Sequence, residues 1–247
     1  MAEDGAALCA RFSLATNRLQ YCGPNDAEGP LYRAIVEGTD LDRARDALRR
    51  FEALYPYLAA IGERHQLDPF DARVVEAYWI GNRLLDDFGR ERFIALLHTL
   101  GRRGLPPRTV DRLVVHLPER PLPHHAFHVA YVGVGEVTGH VPTTLANLEA
   151  CRPAPARVTR CLPGELEVER RPLVVDGGRL ELGPPTRERR PFDPRIVPEP
   201  RVGDWVALHW GHPALLLHEA QRAALEEYTR RSIAAANEAL PALRTLR

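Results

Sequence analysis

Hydrophobic residues recur at helical spacing through the first half of the chain. Between residues 31 and 117 they fall three or four positions apart, which places them on one face of each helix. Pro56 interrupts the longest of these runs, and Pro107 lies where a further helix can begin. The pattern predicts a bundle of four or five helices within residues 1–118.

The pattern changes after residues 118–124, which hold three prolines in seven positions and mark the best candidate boundary. Residues 127–134, 168–175 and 202–210 are rich in β-branched and aromatic side chains, which favour strands. Asp-Gly-Gly at 176–178 separates two apolar runs, as the turn of a hairpin does. The second half is therefore predicted to be mainly β-structure.

Short strands with hairpin signals favour a small closed or nearly closed barrel, because closure removes exposed strand edges. Residues 183–200 are charged and proline-rich and are predicted to form a loop, whereas residues 218–240 carry a helical apolar stripe. The predicted fold class is α+β: an N-terminal helical bundle, a small OB-like β-barrel and a C-terminal helix.

Three segments follow from this organisation. Residues 1–118 form the predicted helical domain, and residues 119–150 form a linker and strand region that contains a histidine cluster. Residues 151–247 form the predicted barrel with its C-terminal helix.

The charge of the chain narrows the range of partners. All 33 basic residues are arginines and they balance 33 acidic residues, so no net field attracts nucleic acid or an anionic membrane surface. The sequence lacks an apolar run of the ~18 residues that cross a bilayer and a recognisable signal peptide. We therefore expect a cytoplasmic protein whose four cysteines are free thiols or metal ligands rather than disulfides.

Cys151 and His209 are the strongest candidates for chemistry. An accessible thiolate beside an imidazole from a neighbouring strand forms a soft metal-binding pair. Side chains alternate along residues 206–209, so Val206 and Leu208 lie on one face of the strand and His209 lies on the other. If Val206 and Leu208 belong to the core, the imidazole is predicted to point outward. The plainer interpretations are a small buried cysteine and a hydrogen-bonded structural histidine.

A second candidate site is the cluster of His124, His125 and His128. His124 and His128 share a face of either a helix or a strand, and His140 is the nearest choice for a further ligand. The structural alternative is a hydrogen-bond cluster between domains. This cluster supports a second hypothesis, a metal-dependent enzyme.

The C-terminal segment resembles the small HypC/HupF-type [NiFe]-hydrogenase maturation chaperones. These chaperones carry a cysteine and, four residues later, a proline that is followed by Gly-Lys-Val or a close variant; a second motif leads to Val-His-x-Gly before a helix. The matching residues here are Cys151, Pro155, Arg157, Val158, Arg201, Val202, Gly203, Asp204, Trp205, Val206, His209 and Gly211. More broadly, the whole chain resembles an uncharacterised bacterial family with Tyr-Cys-Gly-Pro and His-His-x-Phe-His motifs, associated with hydrogenase genes.

This resemblance implies a maturation chaperone that acts through Cys151 and His209. It would hold iron, as an intermediate that bears diatomic ligands, or contact the hydrogenase large-subunit precursor together with a maturation scaffold protein. Arg152 and Arg157 are expected to lower the pKa of the Cys151 thiol. The chain departs from the family because Cys151 follows 150 residues instead of beginning the chain, and because Ala156 replaces a glycine.

Overall fold

The computed structural model describes residues 4–243, except for the side chain of Ala242, and its N-terminal part is helical. The helices are α1 (Gly5–Arg18), α2 (Glu28–Val36), α3 (Leu41–Arg49), α4 (Leu54–His65), α5 (Ala72–Trp79), α6 (Arg90–Gly101) and α7 (Pro107–Val115), with a 3-10 turn at Arg83–Leu85. The predicted helical character is confirmed. Six α-helices rather than four or five begin and end within residues 28–115, because left-handed residues such as Gly38 and Gln66 end helices early.

Helix α1 has no counterpart in the sequence prediction and lies at the centre of the helical part. The carboxylate of Asp4 caps it by accepting a hydrogen bond from the Ala6 backbone N–H at 2.8 Å. A Cβ atom at Gly5 would lie 2.0 Å from the Phe70 carbonyl oxygen, just before α5. The glycine therefore permits a close approach of α1 to the start of α5.

The strand predicted at residues 127–134 is wrong. Helix α8 (His125–Phe127) continues into a π-helical turn at His128–Val132, which the Gly133 N–H closes on the His128 carbonyl at 3.0 Å. Helix α9 (Leu145–Cys151) follows. Residues 125–134 are all buried, and a continuous apolar run does not distinguish a buried strand from a buried helix.

The strands form an open antiparallel sheet and a separate hairpin instead of a closed barrel. The strands are β1 (Ala154–Leu162), β2 (Glu165–Arg170), β3 (Leu173–Asp176), β4 (Arg179–Leu182), β5 (Thr186–Pro191), β6 (Trp205–His209) and β7 (His212–Leu217). The five-stranded sheet has the order β5-β2-β1-β6-β7, and within residues 4–243 no ladder joins its edges β5 and β7. Strand β5 lies inside the predicted loop, where alternating arginines and glutamates pair with β2.

Two other predictions in this half are confirmed. Strands β3 and β4 form the hairpin around Asp176-Gly177-Gly178, and helix α10 (Glu219–Leu243) ends the described chain. The Asn237 side chain of α10 bonds both backbone groups of Leu180 at 2.9 Å and so fixes the hairpin to the helix. Buried side chains from all parts of the fold form one hydrophobic cluster. No helix among residues 4–243 is both long and apolar enough to cross a membrane.

Candidate metal centre

Two local structures bring Cys151 and His209 together. Cys151 is the last residue of α9, and His209 is the last residue of β6. Trp210 and Gly211, both with positive φ, make the tight turn into β7, and the Trp210 N–H donates to the Ala150 carbonyl at 2.6 Å. This hydrogen bond fixes the end of β6 against the end of α9, so the neighbouring side chains meet.

His125 completes a group of three possible ligands. Its Nε2 lies 3.5 Å from the Cys151 sulfur, and the His209 Nε2 lies 3.9 Å from the same sulfur. All three ligand atoms lie within 4.8 Å of one another. Tetrahedral bonds of ~2.1 Å to nitrogen and ~2.3 Å to sulfur would separate the two ligand atoms by about 3.6 Å. The two observed nitrogen–sulfur distances are close to this value.

His209 points into the fold, so the predicted outward orientation is wrong. Its Nδ1 lies 2.6 Å from the Phe12 carbonyl of α1, and because a carbonyl only accepts, Nδ1 carries the proton. Nε2 then presents its lone pair to the Cys151 side. A metal-binding histidine commonly donates its second N–H to a carbonyl in this way.

His125 is held between a tyrosine and a backbone carbonyl. Its Nδ1 lies 2.7 Å from the Tyr78 hydroxyl, and its Nε2 lies 3.1 Å from the Cys151 carbonyl. Without a metal, Nε2–H donates to that carbonyl and the tyrosine hydroxyl donates to Nδ1. Because a hydroxyl both donates and accepts, Tyr78 also accepts from Nδ1–H when Nε2 is needed as a ligand.

Aromatic packing restrains both imidazoles. The Trp79 indole contacts the His125 ring at 4.4 Å and the His209 ring at 5.1 Å between centroids. The Phe12 ring in turn stacks on the Trp79 indole, with 4.9 Å between the ring centroids and 11° between the ring planes. Helices α1 and α5 therefore supply the support for a site whose ligands come from later segments.

Burial sets the protonation states of the group. Cys151 is 8 % exposed, and burial raises the pKa of its thiol to about 12. The expected lowering of this pKa by Arg152 and Arg157 is therefore wrong: Arg152 pairs with Glu149 at 3.0 Å, and Arg157 is exposed. Burial lowers the pKa of His209 to about 4 and that of His125 well below its ordinary value. Both imidazoles are thus neutral ligands at pH 7.

The predicted cluster of three histidines does not share one site. The His124 Nδ1 caps α8 by accepting from the Ala126 N–H and lies 3.3 Å from the Ser232 hydroxyl, while the His128 Nδ1 lies 3.0 Å from the Tyr57 hydroxyl. His140 is exposed. Of the three, only His125 belongs to the group with Cys151 and His209.

A small cavity of about 60 Å³ adjoins the group. His125, Cys151 and His209 line it together with His128 and Cys22, and most of its wall is apolar. At ~30 Å³ for each water, the space is equivalent to roughly two water molecules. If these three residues held a tetrahedral ion, one coordination position would remain for an added ligand.

Cys22 also comes close to the ligand group, although it was not among the predicted ligands. The thiol lines the same cavity, and its sulfur lies 3.9 Å from the Glu52 carboxylate, which also accepts from the Gly23 N–H at 3.1 Å. The Tyr-Cys-Gly-Pro motif was the available signal. The sequence contains no comparable signal for Tyr78, Trp79 or the Phe12 carbonyl, because these groups reach the site through contacts between distant segments.

The Family of unknown function DUF6390 matches residues 1–242. No curated protein and no solved structure matches the chain. The resemblance to the hydrogenase maturation chaperones therefore depends on the C-terminal motifs and not on a family match. The match to DUF6390 covers almost the whole sequence, and the chain belongs to that family.

Proposed function

We propose that this protein is an accessory protein of [NiFe]-hydrogenase maturation that holds iron through His125, Cys151 and His209. The observation that carries the proposal is the convergence of the two motif residues, Cys151 and His209, with a third ligand at metal-binding distances. The metal site is inferred from the geometry of the residues. The hydrogenase context comes from the motif resemblance.

The ligand set suits a soft or borderline transition ion. One thiolate and two imidazoles bind Fe²⁺, Zn²⁺ and copper ions well, whereas Mg²⁺ and Ca²⁺ prefer oxygen ligands. A divalent ion with one thiolate keeps one positive charge inside a buried site, which is unfavourable. An added anionic ligand removes that charge, and the adjoining cavity has room for a diatomic molecule. Iron that bears small ligands meets both conditions.

Binding requires two proton movements from the chain. The Cys151 thiol releases its proton, because the thiolate is the metal ligand. The His125 proton moves from Nε2 to Nδ1, and the resulting Nδ1–H donates a hydrogen bond to the Tyr78 hydroxyl. His209 needs no change, since Phe12 already holds its proton on Nδ1. The bound group would supply the intermediate for assembly of a hydrogenase active site.

Because the site is buried, we expect this protein to hold the intermediate inside the fold. It does not present Cys151 as an exposed thiol to which a partner could dock. In the resembling chaperones the cysteine begins the chain, whereas Cys151 is enclosed by α9, β1 and the helical part. Delivery to a large-subunit precursor, directly or through a scaffold protein, therefore requires an opening of the cavity around Cys22 and residues 134–141.

Co-purification under anaerobic conditions tests this function. A hydrogenase large-subunit precursor is produced together with the tagged chain in three forms: the unsubstituted protein, Cys151→Ser and the control Cys161→Ser. Cys161 is exposed and its sulfur lies 3.3 Å from the Pro200 carbonyl, away from the ligand group. We expect the normal protein and Cys161→Ser to retain iron and precursor, and Cys151→Ser to lose the iron. Equal recovery of iron and precursor from all three proteins contradicts the proposal.

A further inference from the structure

A second cavity, of about 180 Å³, lies beside the β6–β7 turn and is lined there by Leu208, Trp210 and Gly211. Trp210 lines both cavities. The charged side chains that line the second cavity are Glu149, Arg152, Arg170, Glu188 and Arg190. Three guanidinium groups therefore face two carboxylates, which leaves one positive charge unbalanced among these residues.

Both carboxylates are already shared between arginines. Glu149 accepts from Arg152 at 3.0 Å and from the Leu173 backbone N–H at 2.6 Å, and it also pairs with Arg170. Glu188 pairs with Arg170 and accepts two hydrogen bonds from Arg190, at 2.9 and 2.6 Å. Neither carboxylate is therefore free to neutralise the remaining positive charge of the cluster.

Arg152 retains an unused donor. Its side chain is 3 % exposed, and its Nε is buried without a hydrogen-bond acceptor among residues 4–243. Arg152 lines the cavity, and because a buried cationic donor without an acceptor is unfavourable, an anion that reached this donor would be stabilised. The Arg190 guanidinium, which also lines the cavity, lies over Gly211, with Nη1 3.3 Å from the position that a Cβ would occupy. The absence of a side chain at Gly211 leaves room for this guanidinium.

We propose that the cavity binds a small oxyanion, the phosphate or carboxylate group of a ligand, between Arg152, Arg170 and Arg190. Guanidinium groups form paired, charge-assisted hydrogen bonds with both kinds of oxyanion. At ~30 Å³ for each water, the cavity is equivalent to about six water molecules and accepts such a group with part of the molecule that carries it. The proposal does not depend on a metal at Cys151.

Calorimetric titration of the full chain with inorganic phosphate and with acetate, at constant ionic strength in chloride, tests this site. The main variant is Arg190→Gln, whose side chain is partly exposed and so tolerates replacement. The matched control is Arg189→Gln, the exposed neighbour on the same strand, which removes the same charge from the other face.

We expect saturable binding of at least one of the two anions, weakened about tenfold or more by Arg190→Gln and nearly unchanged by Arg189→Gln. Tighter binding of phosphate identifies a phosphate ligand, and tighter binding of acetate identifies a carboxylate. Glu188→Gln releases two arginines and is expected to strengthen binding. The absence of saturable binding to the normal protein, or equal weakening by the two arginine variants, overturns the proposal.

Discussion

At the residue scale, the hydrogen bond between Tyr78 and His125 gives the ligand group its adaptability. The tyrosine hydroxyl lies 2.7 Å from Nδ1, and it can donate to His125 in one tautomer and accept from it in the other. Tyr57 makes the corresponding contact with His128, which lies outside the ligand group. The chain therefore contains a matched pair of tyrosines, one of which supports the proposed ligands.

Tyr78→Phe is expected to weaken metal binding about 10-fold, because hydrogen-bond partners of metal ligands typically contribute that much to affinity. Tyr57→Phe is the control, since it removes an equally buried hydroxyl from a histidine outside the group. Competition titration of Co²⁺ or Fe²⁺ against a chelator measures both affinities. A similar loss in the two variants would show that the effect is general destabilisation.

The pH dependence of metal affinity reports which protons leave on binding. The Cys151 thiol has a pKa of about 12 and is protonated at neutral pH, whereas His209, with a pKa of about 4, is already neutral. Metal binding between pH 6 and 8 therefore releases one proton, and the affinity should rise about tenfold for each pH unit. Titrations across this range measure the slope. A slope of two or more would mean that a histidine is protonated in the free protein.

At the scale of the elements, α1 positions the site although none of its side chains is a proposed ligand. The Phe12 carbonyl holds His209, and the Phe12 ring stacks on Trp79. The closeness of α1 to α5 depends on Gly5, where a Cβ would meet the Phe70 carbonyl at 2.0 Å. Packing between helices in the first half therefore determines ligand geometry in the second.

Gly5→Ala is expected to lower the free energy of unfolding by about 1–3 kcal/mol, the usual effect of overpacking. It should also weaken metal binding, because α1 must shift and carry the Phe12 carbonyl with it. Gly29→Ala in α2 is the control: its Cβ would meet only the movable end of Arg33, at 3.3 Å, and alanine favours a helix. Urea denaturation checks the expectation, and an unchanged Gly5→Ala protein would contradict it.

The sequence predicted those elements whose signals are local. The helical period of residues 31–117, the Asp-Gly-Gly hairpin and the apolar stripe of α10 all correspond to observed structure. The buried segment after Pro123 was misread, because an apolar run without polar alternation has no period to measure. Strand β5 was missed because its arginines and glutamates form a strand only when β2 pairs beside them.

The candidate site could be predicted only in part for the same reason. Cys151 and His209 stand out because motif spacing is a property of the linear sequence. The choice of His125 over His124 and His128 depends on which side of a three-residue helix faces Cys151, and the strand prediction could not provide that. The protonation states depend on burial by α1 and α5, which no local pattern records.

At the scale of the whole molecule, four buried histidines are neutral inside one continuous core. Burial lowers the pKa of His124 to about 3 and that of His128 to about 4, in addition to the lowered values of His125 and His209. Burial by the helices and the sheet thus keeps these four imidazoles uncharged at neutral pH.

This arrangement predicts acid sensitivity. The folded pKa values lie below the unfolded value of about 6.5, so below that pH the unfolded chain binds protons that the native protein does not. The stabilisation that comes from these neutral histidines is fully present above about pH 6.5. Below that pH the free energy of unfolding should fall towards pH 4, by up to ~1.4 kcal/mol per pH unit for each histidine that is protonated in the unfolded chain. Urea denaturation at pH 7 and pH 5 measures the change. Equal stability at the two values would contradict the neutral core.

The central claim is that His125, Cys151 and His209 bind one metal ion together. X-ray absorption spectroscopy of anaerobically purified protein loaded with Fe²⁺ tests it most directly, with Cys151→Ser in parallel. The claim predicts one ion per chain with one sulfur at ~2.3 Å and two imidazole nitrogens in its coordination shell, and loss of the sulfur signal in the variant. A shell of oxygen atoms alone, or a sulfur signal that persists in Cys151→Ser, would contradict it.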